Sequence, residues 1–599
     1  MKTFLAFTAL AAVAASSASQ AQKPLVPAGA INGVFGHRPM AILAEDDPTV
    51  VAHAEWVHDR FFKDRSRVLV GDATVEEDLR GHNLLVFGTI DGHPWLTKYR
   101  DRLPFRYGDG GVTLDREYTG NRLRVIAALR NPQDPKRRVV AYTAANAADI
   151  KGINGVFHGP TEWVIADGAR VLGKGNYPTA GVLLDVAAMQ ADLDWLEAKL
   201  LANHPTTAEG PTPALAAALQ EARAATAEPR SIADFWLTAN RVALALADAH
   251  THVAPLGSSR RLDLPLAWLA DGLVVTHDTA ALQRGDRLVT LQGHDETALL
   301  GALRGLIPAE NDHWIRERGT PALADLAVLQ LLGLAEDAPV TLTIERDGES
   351  LQVEIEPPAD GAHTDDSASA DAAANADWVR WTIDPDHDLA VFTLDRCVVD
   401  DHYLARLATF FAEVAESGVT RIAVDLRRNS GGNSQVCDEF LRYVDLDEYW
   451  TYSASIRSTV DANEQHGTDD ELGLRHYGRQ RKENDRHEGA PLFSGKLYAL
   501  TSKETFSSGS WFAVVLGDND LAEVIGEPTG GAPSSHGEIL RFVLPESSFS
   551  FSVSHKAWRR PDPSRQPAHT LEPDHAVPFT REHLVEGIDP VLEFVRSHR

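Results

Sequence analysis

Cysteine is almost absent. Only Cys397 and Cys437 occur among 599 residues, so at most one internal bridge is available and a disulfide-stapled scaffold is excluded. Spacing alone does not say whether the two meet. Glycine (44) and proline (32) stay near the ordinary globular background, which rules out collagen-like repetition and global disorder. Positive charge is scarce: 57 Lys and Arg against 86 Asp and Glu leave a formal net charge of −29. Such a surface repels a phosphate backbone and an anionic bilayer alike, so nucleic acid is not an expected partner. A bilayer crossing takes about 20 apolar residues, and the longest candidate after the N-terminus, Leu323 to Leu334, is broken by Asp325 and Gln330. No membrane insertion is expected.

What is present suggests an exported chain of several domains. Lys2, the apolar run Phe4 to Ala15 and the small-residue stretch Ser19-Gln20-Ala21 have the form of a signal peptide over 1–21, implying a periplasmic or extracellular protein. Residues 22–180 mix buried-strand runs such as Asn83 to Phe87 with helical stretches, as in a small α/β domain whose role no residue identifies. The pentapeptide Ile31 to Phe35 recurs at Ile153 to Phe157 with unmatched flanks, a coincidence or a shared turn. Gly108-Asp109-Gly110-Gly111 lacks the strand-to-helix setting of a phosphate loop and is expected to be an ordinary loop.

Over 181–257 the spacing of Leu184, Met189, Leu193, Leu196 and Leu200 predicts a helical subdomain broken at His204-Pro205. Residues 258–358 form a β-rich module closing with a hairpin about Asp347-Gly348. The stretch 359–376 has no large apolar residue and should be a linker. A last domain, 377–599, follows.

That last domain holds two strand-turn-helix units, a device that brings backbone N–H groups and side chains to one sheet edge. The first runs from Arg421–Leu426 through Asn429-Ser430-Gly431-Gly432 into Val436–Val444, and the second from Lys496–Thr501 through Thr505 to Ser510 into Trp511–Leu516. Paired glycines admit a ligand close to the backbone, and N–H groups at a helix start can hold an oxyanion. A serine in such a turn is placed as a nucleophile would be, although a serine there ordinarily caps the helix.

Asp425 to Asn433, Thr505-Phe506-Ser507-Ser508, Gly526-Glu527-Pro528-Thr529-Gly530-Gly531, Glu572-Pro573-Asp574 and Gly587 to Leu592 occur in the order of the motifs of tail-specific (C-terminal-processing) serine peptidases, which this sequence resembles. Asp194-Trp195-Leu196, His204-Pro205, Leu246 to Thr251, Trp268 to Val275 and Leu282 to Gly293 extend the likeness to the secreted, tricorn-related branch. The resemblance covers about 183–599 and leaves 22–180 unmatched.

It implies an α/β fold with a crotonase-like (ClpP-like) catalytic core, a helical subdomain and a PDZ-like module, joined here to the extra N-terminal α/β domain. On this alignment Ser507 is the nucleophile with Ser508 its close competitor, and the backbone of Gly432 and Ser508 forms the oxyanion hole. Where processing proteases carry their lysine base, this sequence has Ala532. A serine hydroxyl needs a base of suitable pKa within reach; His250, in Asp248-Ala249-His250-Thr251, matches the histidine of the tricorn-like branch, with His536 the fallback. Glu538 and Asp574 are the candidate acids to orient the imidazole. No metal or organic cofactor is implied. The expected partner is a peptide or protein substrate, recognised by strand addition to the PDZ-like module and weakly biased by the acidic surface toward basic or neutral chains. Oligomeric state is left open.

Two other classes compete with a serine-type peptidase. Asp248 to Val253 also fits the Asp-x-His-x-His pattern of metal-dependent amidohydrolases, with His250 and His252 as zinc ligands, but a helical run precedes it and the alternation of an eightfold barrel is missing. A non-catalytic binding protein on the same fold, as in retinoid-binding repeats, is the stronger rival, because the lysine is gone. Ser507, the glycine pair and His250 favour the enzyme.

Overall fold

The computed structural model describes residues 29–598 except 35–38, 109, 115, 157, 159–160, 178–182, 255–260, 336–338 and 357–376. The signal peptide expected at 1–21 and the linker expected at 359–376 lie outside the described residues. No helix among the described residues is long and apolar enough to cross a membrane.

Residues 29–177 build a seven-stranded sheet from β1 (Met40–Ala44), β2 (Ser66–Val70), β3 (Asn83–Gly88), β4 (Leu123–Asn131), β5 (Asp134–Ala144), β6 (Trp163–Asp167) and β7 (Arg170–Gly175), in the order β7-β6-β4-β5-β3-β1-β2. β1 and β3 are buried along their whole length and pair in parallel. Such strands are covered on both faces and therefore lose polar alternation. Ala41, Leu43, Leu84 and Val86 pack on one side, while Ile42, Leu85 and Phe87 pack on the other with Val50, Ala54 and Val57 of α1 (Pro48–Val57). Asp47 caps α1 by accepting from Thr49 N and Val50 N, with Pro48 at the first helical position. Ile31–Val34 and Ile153–Gly155 are each a single 3₁₀ turn, so the repeated pentapeptide marks a shared turn. Gly108 and Gly111 are register partners closing a small hairpin.

The helical segment comprises α2 (Val186–Asn203), α3 (Pro213–Ala225) and α4 (Ile232–Leu244). Met189, Leu193, Leu196 and Leu200 form the buried stripe of α2, and His204 is its C-cap. A two-residue strand, β8 (His252–Val253), then leads to a sheet made of β9 (Leu266–Leu269), β10 (Gly272–Val275), β11 (Arg287–Leu291), β12 (Val340–Arg346) and β13 (Glu349–Ile355). Asp347 (φ 52°) and Gly348 (φ 79°) both adopt the left-handed conformation that a two-residue hairpin of matching twist requires. Between β11 and β12 lie α5 (Glu296–Arg304), α6 (Asp312–Leu323) and α7 (Leu326–Leu331).

The C-terminal unit is a six-stranded sheet of β14 (Val379–Asp384), β15 (Leu389–Leu394), β16 (Arg421–Asp425), β19 (Lys496–Thr501), β20 (Ala522–Gly526) and β23 (His575–Ala576), in that order and parallel from β15 onward. α8 (Asp401–Ser417) buries Tyr403, Leu407, Phe410, Phe411 and Val414, a helical stripe, against one face together with α9 (Gln435–Leu441) and α11 (Ser508–Asp518). The other face packs on Val591 and Val595 of α12 (Pro590–Ser597). Asp589 caps α12 through Leu592 N and also pairs with Arg427, which clamps Asp425. A second sheet joins β8, β22 (Ser550–Arg559), β17 (Ser453–Ser458) and β18 (Gly473–Tyr477), with β21 (Ser535–Val543) also paired to β22; α10 (Val460–His466) lies between β17 and β18. Cys397 and Cys437 are both buried free thiols.

The loop between β21 and β22 ties the units together. Arg138 of β5, 2% exposed, donates to Ser548 Oγ at 2.9 Å and Leu544 O at 3.4 Å. Asp192 of α2 accepts from Glu546 N and Ser547 N, each at 2.7 Å. Removing a buried guanidinium strands its acceptors and leaves a void. Arg138→Ala should therefore lower stability by roughly 3 kcal/mol, seen as an earlier urea transition of the full chain by circular dichroism. An unchanged midpoint would mean that the 29–177 unit is not held through this residue.

Candidate active site

The two strand-turn-helix units meet at Asn429, whose side chain is fully buried. Its Nδ2 donates to Leu394 O at 2.9 Å, its Oδ1 accepts from Gly431 N at 2.9 Å, and its carbonyl accepts from Phe506 N at 3.0 Å. One residue thus joins the end of β15, the glycine turn and the serine turn. Thr505 secures the second turn by donating from Oγ1 to Leu426 O at 2.9 Å, and its carbonyl accepts from Gly531 N at 3.0 Å.

Ser507 precedes the first residue of α11 with φ 51° and ψ −122°. Positive φ costs a non-glycine residue of order 1–3 kcal/mol and persists only where the surroundings impose it. Gly431 is that surrounding: a Cβ built there would lie 2.6 Å from Ser507 Cβ and 3.1 Å from its Oγ, at φ 109°. Gly432 has φ 134°, and a Cβ there would stand 2.1 Å from Cys397 O. Both positions demand glycine. Ser508 is buried and its Oγ donates to Gly432 O at 2.8 Å, whereas Ser507 is partly open. The Ser508 hydroxyl is committed; its N–H opens α11, where backbone donors have no partner within the helix.

His250 Nε2 lies 3.2 Å from Ser507 Oγ although 257 residues separate them. The segment carrying it is stitched to β22: Ser552 Oγ donates to His250 O at 2.6 Å, Ser554 N donates to Thr251 Oγ1 at 3.0 Å, and β8 pairs with β22. Asp248, with no exposed surface, accepts from His250 N at 2.9 Å through Oδ1 and from Thr251 Oγ1 at 2.5 Å and His204 Nε2 at 3.3 Å through Oδ2. Burial alone would raise its pKa, yet the His204 hydrogen bond and the nearby His250 and His536 imidazoles hold it well below the usual carboxylate range. Asp248 Oδ1 stands 3.7 Å from His250 Nδ1, an ion-pair separation longer than a hydrogen bond. Burial depresses the His250 imidazole, but Asp248 and then Glu310 outweigh it and leave the pKa above its ordinary 6.5.

The segment entering α6 supplies the third wall. Trp314 stacks on Phe506 at 3.8 Å between ring centroids, and Phe506 stacks on His250 at 4.9 Å. Asn311 Nδ2 donates to Gly530 O at 2.9 Å and His569 O at 2.7 Å. Glu310 Oε1 accepts from Ala249 N at 3.2 Å.

Ser507, His250, Gly432 and Ser508 thus converge. The carboxylates expected to orient the imidazole are engaged elsewhere, and this corrects the assignment: Glu538 pairs with Lys556 at 2.7 Å and sits 3.9 Å from His555, while Asp574 accepts from Val524 N at 2.8 Å. Asp248 and Glu310 are the acids beside His250. His536 stacks against His204 at 4.7 Å, on the Asp248 side of the site, and burial lowers its pKa to about 4. Ala532 is buried and carries no base. His252 Nδ1 lies 3.3 Å from Ser552 Oγ, and among the described residues the ion-sized cluster containing His250 is completed by Asp248 and Glu310, not by His252. The zinc pairing of His250 with His252 therefore has no third ligand here. Asp248 lay in plain view two residues before His250; Glu310, Asn311 and Trp314 carried no local signal.

Residues 397–577 match peptidase family S41. Mature CPAF complexed with lactacystin is similar in structure, at 14% identity and a TM-score of 0.50 over 68% of this chain and 96% of that one. Mature CPAF alone gives 15% identity and the same TM-score over 68% and 95%. The photosystem II D1 C-terminal processing protease aligns over 69% and 98% of the two chains at 15% identity and a TM-score of 0.36. Among curated proteins none matches the chain. With that match over 397–577, the chain is a serine-type peptidase.

Gly431→Ala tests the serine turn. The added methyl must displace Ser507, so its reactivity toward a fluorescent phosphonate should fall about a hundredfold or more, with the far-ultraviolet circular dichroism unchanged. Retained reactivity would show that the turn tolerates a side chain.

Proposed function

We propose that this peptidase is an exported enzyme of the tail-specific type that works without a lysine base, cleaving peptide bonds through an acyl-enzyme on Ser507 with His250 as general base. The 3.2 Å approach of His250 Nε2 to Ser507 Oγ carries this reading. In the attack Oγ bonds to the acyl carbon while its proton passes to Nε2. The carbonyl oxygen takes up negative charge facing the backbone N–H groups of Gly432 and Ser508 at the start of α11, where preorganised donors are most effective. Collapse of the tetrahedral intermediate breaks the C–N bond, and the imidazolium returns the proton to the departing amine. Water, deprotonated by His250, then cleaves the ester and restores Ser507. The strained Ser507 backbone supports the assignment, because such strain concentrates at sites where a side chain must be presented. A pure binding role would give no reason for an imidazole 3.2 Å from the hydroxyl of a strained serine.

Export rests on the N-terminal signal pattern in the sequence. The substrate is a peptide or protein segment, and the sheet of 266–355 is a candidate surface for strand addition.

Active-site titration of the full chain with a fluorescent phosphonate should label the wild type and Ser508→Ala but neither Ser507→Ala nor His250→Ala, and a peptide-library digest should then report cleavage. Labelling that persists in Ser507→Ala, or a folded wild type that neither labels nor cleaves, would overturn the assignment. The base must be neutral to accept a proton and the His250 pKa is raised above 6.5, so the labelling rate should rise with pH and reach half its maximum above pH 6.5.

A further inference from the structure

The imidazole of His250 is only half provided for. Its Nε2 faces Ser507, but its Nδ1 is buried and has no hydrogen-bond partner. Across from it Glu310 uses Oε1 for Ala249 N, while its Oε2 is likewise buried without a partner. The ligating atoms of Asp248, His250 and Glu310 all lie within 4.8 Å of one another. Two buried, unpartnered polar atoms within one cluster are unusual, since each costs about 1–3 kcal/mol. They are also complementary, because a neutral imidazole that accepts at Nε2 carries its proton at Nδ1.

Asp248 is poorly placed to satisfy Nδ1. Its Oδ1 is held by the backbone N–H of His250 itself, and its Oδ2 by Thr251 and His204. Its Oδ1 stands 3.7 Å from Nδ1, beyond hydrogen-bond range. Glu310 has a free oxygen and a firm mounting: Asn311 is hooked to Gly530 and His569, and Trp314 is stacked on Phe506. Its backbone enters from the insertion between β11 and β12, outside the two turns that carry the serine and the glycines.

We propose that Glu310 is a positioning residue for His250, its Oε2 accepting the Nδ1 proton while Nε2 takes the proton of Ser507, so that a segment outside the catalytic sheet completes the site. This inference rests on the Ser507–His250 reading above. In the working form Glu310 is a carboxylate and His250 is neutral with its proton on Nδ1. When Ser507 loses its proton the pair becomes imidazolium and carboxylate, and the sequence reverses when the leaving amine is protonated. A mere brace for the 248–250 turn would need Oε1 only. The titratable groups facing the pair are Asp248 on the same turn, with His204, His536 and His252 behind it. Burial and the Asp248 charge push the Glu310 carboxyl up to about 7.

The test compares wild type with Glu310→Gln, which keeps an acceptor for Ala249 N but cannot carry charge, and with Glu310→Asp, which keeps the charge. Phosphonate labelling of the full chain across about pH 5 to 9 should show Glu310→Gln slowed by about tenfold or more, with its acidic limb displaced to lower pH, because losing a neighbouring anion lowers an imidazole pKa. Glu310→Asp should keep the limb near the wild-type position. The His250 pKa is read separately by NMR of histidine-labelled protein, assigned with His250→Ala and recorded in a Ser507→Ala background, and should drop in Glu310→Gln. A labelling rate within twofold of wild type, or an unmoved His250 pKa, would overturn the role. Should the wild type fail to label, the peptidase assignment fails on that count, while the NMR comparison still decides whether Glu310 acts on His250.

Discussion

A carboxylate without solvent contact has to be met by donors, and the arrangement around the reactive serine depends on how Asp248 meets this demand. Leaving such a charge unmatched would cost several kcal/mol. Its partners come from the C-cap of α2, from the backbone of His250 and from the Thr251 hydroxyl, which in turn accepts from Ser554 of β22. Satisfying one anion therefore locks the end of the helical segment, the histidine turn and strand β22 of the second sheet into a single geometry. The imidazole that approaches Ser507 is held by this same turn.

Four stretches distant in the chain form the site: 248–251, 310–314, 429–432 and 505–508. Asn429 binds the last two together, and Phe506 joins them to the first two by stacking between His250 and Trp314. The N-terminal unit acts at longer range. Arg138 and Asp192 hold the loop that precedes β22, and β22 holds the histidine turn through Ser552. A domain with no chemistry of its own at the serine is thus mechanically linked to the base.

Local chemistry made much of this legible beforehand. Buried parallel strands appear as apolar runs, as at Leu84 to Phe87 and Ile422 to Val424, and Asp347-Gly348 announces its hairpin through the left-handed backbone it must adopt. Gly431 and Gly432 were legible for the same reason: their conformations exclude any side chain. The motif alignment put Ser507 ahead of Ser508, and the physical difference between the two hydroxyls, capture of Ser508 by the Gly432 carbonyl, appears only in the fold. Glu538 and Asp574 misled because they stand near the serine motifs in sequence, whereas an orienting acid is chosen by proximity in space.

By itself the sequence determined the periodic and conformational features: which runs bury both faces, where the backbone turns left-handed, which motif carries a hydroxyl and which an imidazole, and that Ala532 holds no base. Each of these follows from residues within a few positions of one another. Only the tertiary structure decided that Asp248 anchors the histidine turn, that Glu310 joins Asp248 and His250 in one cluster and that Trp314 stacks on Phe506. Those contacts span tens to hundreds of residues and arise from the matching of buried charges and the packing of separate sheets, which leave no mark on local sequence.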